Sequence, residues 1–334
     1  MSRPVTLFTA QWADLPFEEV ARLAGEWGFD GLEIACKPQH LDIDRAIDEP
    51  GYLDSRKEIL SRYGLGVWAL SNHAQGQVVC DDPLDFRHRS IVGARTWGDG
   101  EAEGVRQRAS EQLKRTAIVA RKLGVDVVTG FTGSKIWRYI AMYPPVSQQV
   151  IDDGYEDFAA RWNPILDVFD SEGVKFALEV HPSEIAYDYY TTARALDAVD
   201  HREAFGINWD PSHMVWQDID PVNFIVDFAD RIYHVDCKDT LIRPKDGRAG
   251  RLGSHLAWGN PRRGWDFVSA GHGSIPFESA FRALDAIGYG GPISIEWEDS
   301  GMDRMHGAPE ALAHVRSLLW ERPAASFDSV FSVE

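Results

Sequence analysis

Cysteine is scarce in this chain: Cys36, Cys80 and Cys237 are the only three among 334 residues, with no CxxC spacing. That excludes a disulfide-stapled scaffold and predicts free thiols in a reducing compartment. Positive charge is short as well, 34 Lys and Arg against 52 Asp and Glu, for a formal net charge of −18. A duplex nucleic-acid partner needs cations to replace its counterions, and an anionic membrane surface needs the same, so both are disfavoured. There is no window of about 18 uncharged apolar residues. No GxGxxG opens a helix, which removes the main sign of a dinucleotide fold. The opening MSRPVTLFTAQW lacks the cationic start and apolar core of a signal peptide. A cytoplasmic protein with neither a nucleic-acid nor a membrane partner is the expectation.

What the sequence does have is alternation. Strand-like runs at Val5–Trp12, Gly31–Ala35, Leu65–Asn72, Val125–Phe131, Val174–Val180, Phe205–Trp209, Ile232–Cys237 and Pro292–Trp297 are separated by helical patterns. The plainest helix is Tyr155–Ser171, with Tyr155, Phe158, Ala159, Trp162, Ile165, Leu166 and Phe169 on one stripe. Eight alternations without a composition break predict a closed (β/α)8 TIM barrel, a single domain over 1–320, with a tail at 321–334. Three connections leaving the carboxyl ends of strands are long: 74–100, 133–154 and 240–273. They carry Trp97, Trp137, Tyr139, Tyr143, Trp258 and Trp265, and predict ordered pocket walls.

The later strands share a pattern. In VKFALEV, FGINWD, IYHVDCKD and PISIEWED, apolar residues alternate with a second set that ends on Glu179, Asp210, Asp236 and Glu296. Period-two geometry sends that second set to the other face of each strand, into the barrel. A lone carboxylate at a strand end is ordinarily a helix cap or an ion-pair partner, and Asp210, before Pro211, could cap the next turn. Repetition in one phase on four consecutive strands argues otherwise. Like charges brought together in a poorly solvated volume need a cation. An oxygen-rich set suits Mn2+ best, or Mg2+; a nearby histidine keeps Co2+ and Zn2+ open.

Taken in order, FTAQW, GLEIA, ALEVHP, NWDPSH, YHVDCKD, GHGSIPF and ISIEWED resemble the xylose isomerase-like barrel superfamily over nearly the whole chain. That group includes sugar isomerases, ketose 3-epimerases, inosose dehydratase-like enzymes and apurinic endonucleases. The resemblance implies metal ligands at Glu179, Asp210, the strand-seven position and Glu296. Family members commonly read HVHxKD there, with the second His as ligand; here Asp236 takes that place, and His234 is the alternative. The resemblance also implies proton transfer by Glu179 and Glu296 and a substrate or metal contact at His213. His181 is a candidate extra base, or a partner of a ligand. His73, Lys238 and Trp12 are candidates to hold a sugar, Trp12 through its flat face. His272 is expected near the rim, with Arg263 and Trp265 bordering the pocket.

The implied activity is a divalent-metal-dependent sugar isomerase or epimerase working beside a carbonyl through an enediolate. The alternative is a lyase or dehydratase acting on a keto-sugar or 3-keto-glycoside. An endonuclease would need three metals and a basic groove, against the charge balance. A non-enzymatic sugar-binding barrel would need the four carboxylates to be accidental. A small-molecule sugar is the expected partner, and relatives imply a homo-oligomer.

Overall fold

The computed structural model describes residues 3–140, 143–243, 248–320 and Phe331, so the segment 321–334 lies, apart from Phe331, outside the described residues. Ten strands are present among the described residues: Val5–Phe8 (β1), Gly31–Ala35 (β2), Gly66–Ser71 (β3), Val127–Gly130 (β4), Lys175–Glu179 (β5), Phe205–Trp209 (β6), Ile232–Cys237 (β7), Asp239–Ile242 (β8), Trp265–Val268 (β9) and Ile293–Ile295 (β10). Eight of them close into a barrel in the order β1–β10–β7–β6–β5–β4–β3–β2. All eight neighbouring pairs are parallel, as expected when a helix returns the chain between strands. β10 is thus the eighth stave, and β8 and β9 form a separate antiparallel hairpin.

The outer layer is built as its periodicity predicts. Helix Gln148–Glu172 buries Tyr155, Phe158, Trp162, Ile165, Leu166 and Phe169. Its Trp162 ring lies 4.5 Å from that of Phe176 on β5, which stacks in turn on Phe205 of β6 at 6.1 Å. The helix starts seven residues before the expected Tyr155, and that added stretch is largely exposed. β1 stops at Phe8, and Ala10–Trp12 forms a 3-10 turn.

Two of the long connections carry regular structure of their own among the described residues. Residues 74–100 carry helices His73–Cys80 and Phe86–Trp97, and 240–273 contains most of the β8–β9 hairpin. Helix His73–Cys80 lies so close to the end of β4 that a Cβ on Gly76 would stand 1.8 Å from the Phe131 carbonyl oxygen. Only glycine permits that approach. The hairpin is anchored by Asp239, whose carboxylate accepts backbone N–H bonds from Thr240, Gly271, Gly273 and Ile275 at 2.8–3.2 Å. Asp239 and the GHGSI turn are therefore a structural clamp. No helix among the described residues is long and apolar enough to cross a membrane.

Candidate functional site

Parallel register brings the inward residues together. Glu179 is level with Asn208, Asn208 with His234, and Asp236 with Ser294. The tilt of the staves then carries Asp210 and Glu296, one pleat further on, to the same open end. The four acids read from the sequence do converge. Ligand atoms of Glu179, Asp236 and Glu296 lie within 4.8 Å of one another. Asp210 Oδ2 and Glu179 Oε1 lie 3.2 and 3.1 Å from His213 Nε2.

At the focus stands a side chain of the protein itself. The Lys238 ammonium is 2.6 Å from Glu296 Oε2, 3.0 Å from Asp210 Oδ2 and 3.8 Å from Glu179 Oε1. Burial penalises its charge, but Asp210 and Glu296 outweigh that and hold it well above the ordinary lysine range. The same charge balance keeps Glu179 well below the usual carboxylate range: burial would raise it, but Lys238, His213 and His73 prevail. Glu296 goes the other way. Burial and the charges of Glu179, Glu298 and Asp236 push it well up despite Lys238. Two carboxylates held apart in this way are suited to opposite roles in proton transfer.

Each acid is held from behind. Glu179 Oε2 accepts from His73 Nε2 at 2.8 Å, and His73 Nδ1 pairs with Ser71 Oγ at 2.7 Å. Asp210 combines both readings made of it. Its Oδ1 caps helix Pro211–Val215 by accepting from Ser212 N at 2.8 Å, while Oδ2 faces the centre. Glu296 Oε1 accepts from Gln11 Nε2 at 2.7 Å, and Asp236 Oδ2 from Asn208 Nδ2 at 2.6 Å. Asp236 is lifted to about 7 by burial and by Glu33.

Sequence reasoning passed over Glu33. It is fully buried on β2 under the centre, accepting from Thr129 Oγ1 and Ser294 Oγ at 2.6 Å each and from His234 Nε2 at 2.9 Å. Burial opposes both charges, yet their mutual attraction holds Glu33 at about 2 and His234 at about 10. His234 therefore serves Glu33 first, with Asp236 Oδ1 at 3.5 Å. The signal was present in GLEIA, where Glu33 sits between Leu32 and Ile34 in the same inward phase. Gln11 and Asn208 gave no comparable signal, since neutral amides inside barrels are ordinary.

Does the donor set fit a metal ion? Among the buried polar atoms of the described residues, Glu179 Oε1, Asp210 Oδ2, Asp236 Oδ1 and His213 Nε2 lack a directed hydrogen bond. Glu179 Oε1 and Asp210 Oδ2 instead face His213 Nε2 at 3.1 and 3.2 Å, and Asp210 Oδ2 faces Lys238 Nζ at 3.0 Å, so these oxygens have charged neighbours and keep lone pairs for a further cation. Carboxylate oxygens with an imidazole at that spacing fit a divalent cation.

The centre forms the floor of a cavity of about 650 Å³. Glu179, His181, His213, Lys238, Glu296 and His73 line its depth; Phe8, Phe131, Trp258, Phe267 and Trp297 form apolar walls. His181 Nδ1 donates to the Pro182 carbonyl, leaving Nε2 as an acceptor. Burial and the neighbouring His213 pull its pKa down to about 3, so it is a neutral imidazole.

Several rim expectations are corrected. Trp12 is fully buried, packed on Trp27 at 5.4 Å and covered by the Arg304 guanidinium at 4.9 Å, so no face meets the cavity. Of the six loop aromatics, Trp258 alone lines this cavity. Arg263 and Trp265 back it instead: the guanidinium lies 3.9 Å over Trp258, and Trp265 stacks on Trp216 at 4.6 Å. His272 is exposed and faces Glu310 at 3.1 Å.

Comparison with known proteins bears on the family and the fold. The family model described as a xylose isomerase-like TIM barrel matches residues 21–318. The chain is 27% identical over 316 residues to the uncharacterized protein YfiH of Bacillus subtilis (strain 168), covering 89% of this chain and 91% of that one. Similar solved structures include the 3-keto-D-glucoside 4-epimerase YcjR of E. coli (TM-score 0.66, 17% identity, 94% of this chain and 99% of that one). The probable 3-DHS dehydratase AsbF of Bacillus anthracis aligns with a TM-score of 0.64 at 19% identity, over 94% and 98% of the two chains. IolI, solved with a bound zinc atom, aligns at 0.62 and 16% identity, over 94% and 96%. At these identities the structural likeness speaks for the fold.

Proposed function

Since the chain belongs to the xylose isomerase-like TIM-barrel family, we propose that it is a divalent-metal-dependent sugar isomerase or epimerase that moves a proton beside a carbonyl. The observation that carries this reading is the convergence of Glu179, Asp210 and Asp236: Glu179 and Asp236 bring ligand atoms within 4.8 Å of each other and of Glu296, and Asp210 Oδ2 shares His213 Nε2 with Glu179 Oε1. Those residues and Glu296 would hold the ion, Mn2+ by the hardness of an all-carboxylate set, with Mg2+, Co2+ or Zn2+ as alternatives. When bound, the ion would polarise the carbonyl and offset the negative charge of the enediolate.

The chain's own groups supply the rest. Glu179, kept ionised, takes the carbon-bound proton, and its orientation is fixed by His73. Glu296, pushed toward its protonated form and oriented by Gln11, returns a proton from the other side of the ring. His213 and Lys238 face the cavity as donors to sugar oxygens. The aromatic walls exclude water from the reactive anion.

A second reading, a lyase or dehydratase cleaving a keto-sugar or 3-keto-glycoside, is favoured by the size of the cavity. Its volume of about 650 Å³ equals roughly twenty water volumes at ~30 Å³ each, beside the twelve heavy atoms of a hexose. His181, neutral with Nε2 available, would be the base for a bulkier substrate.

Incubation of the Mn2+-loaded protein with ketoses, keto-sugars and 3-keto-glycosides in D2O separates the two. Solvent deuterium at carbon with no group lost supports the isomerase; release of water or aglycone supports the lyase. No exchange in any of them, or full exchange by Glu179→Gln, rejects the proposal.

A further inference from the structure

The position of Lys238 has a consequence for the centre itself. Its ammonium stands at the point on which the acidic oxygens converge, 2.6 Å from Glu296 and 3.0 Å from Asp210. A divalent ion held by those oxygens would require the same volume. Two cations cannot share it, because repulsion at such separations in a buried site far exceeds what screening removes. We infer that Lys238 is the internal counter-cation of this centre and competes with the divalent ion for one seat. Loading the centre then swings the ammonium into the cavity, so that metal binding delivers a substrate-facing donor. This rests on the metal-dependent reading above.

Three observations support the exchange. The stem of Lys238 is unbranched and four carbons long, so the ammonium can move without backbone change. Lys238 already lines the cavity, with the Phe267 ring 4.9 Å from Nζ, giving the charge a polarisable surface to move along. A receiving group exists: half-buried Glu298, on the same cavity wall, is the next acid after Asp210 and Glu296 in its pull on Lys238. Glu298 is engaged through one oxygen, accepting from Gln11 at 3.2 Å. In the exchanged state the four acids keep a counter-charge throughout, which a buried acidic cluster requires.

The test is Mn2+ affinity of the chelator-treated full chain, read as free-ion electron paramagnetic resonance at one fixed pH. Lys238→Met preserves length and removes the charge. Its Mn2+ dissociation constant should fall by about tenfold or more, since no ammonium has to be displaced. The exposed Lys57→Met control should bind as wild type does. Because Lys238→Met leaves the acids uncompensated and could fold poorly, a second measurement uses wild type alone. Acetic anhydride labelling mapped by mass spectrometry should modify Lys238 little in the chelated protein and at least about threefold more with Mn2+. Unchanged or weaker Mn2+ binding by Lys238→Met, or labelling indifferent to bound Mn2+, overturns the exchange and leaves the metal centre standing. Failure of both proteins to bind Mn2+ overturns the metal reading as well.

Discussion

Glutamine at position 33 would keep the volume of the buried glutamate and remove its charge. The native pair places Glu33 2.9 Å from His234, both nearly or fully inaccessible. At that distance and an effective dielectric of ~20, the attraction is about 6 kcal/mol. His234 can shed its proton in the variant, which returns part of this, while a glutamine has one acceptor oxygen for the hydroxyls of Thr129 and Ser294, costing about 1 kcal/mol. Breaking a buried pair this way generally costs about 3–5 kcal/mol. For a chain of 334 residues, an unfolding entropy of roughly 2.1 cal/mol/K per residue converts about 4 kcal/mol into a melting temperature lower by about 6 °C.

The pH dependence adds a second constraint. Glu33 is held at about 2, below its ordinary 4.5, so its contribution is present above pH 4.5 and lost on acidification toward 2. His234 is raised from 6.5 to about 10, so its contribution is complete below pH 6.5 and lost as pH rises through 10. The deficit of Glu33→Gln should therefore be full between about 4.5 and 6.5 and shrink toward pH 10. Differential scanning calorimetry in chelator at pH 6 and pH 10 measures both. A variant melting within about 2 °C of wild type at pH 6, or one with the same deficit at pH 10, refutes the ion-pair account.

Two further outcomes follow from other parts of the barrel. Burial and the charge of Asp81 raise Glu184 from 4.5 to about 8, so the folded protein keeps a proton that the unfolded chain releases. Wild-type stability should then fall by about 1.4 kcal/mol per pH unit from this group between 4.5 and 8. Glu184→Gln, matched to wild type in urea at pH 5, should be the more stable of the two at pH 8; a gap that fails to widen rejects this. In Gly76→Ala the added Cβ would meet the Phe131 carbonyl at 1.8 Å. Thermal unfolding should register a loss of about 2 kcal/mol or more, and a variant as stable as wild type would show that the helix carrying His73 can shift freely.

The sequence determined the alternation of strands and helices, and with it the closed parallel barrel, because burial on a pleated strand and on a helix imposes periods that a chain displays locally. The same period of two sends Glu179, Asp210, Asp236 and Glu296 inward, and it sends Glu33 of GLEIA there as well. Partner choice was beyond it. That Lys238 rather than a distant arginine stands among the acids, and that His234 serves Glu33 before Asp236, depends on the register and tilt of staves far apart in the chain. Trp12 looked like a sugar platform because its type and place suited one. The turn Ala10–Trp12 and the cover of Arg304 put it in the core instead. Direction along one strand is a local property, but what fills the space between strands is settled only when all the side chains compete for it.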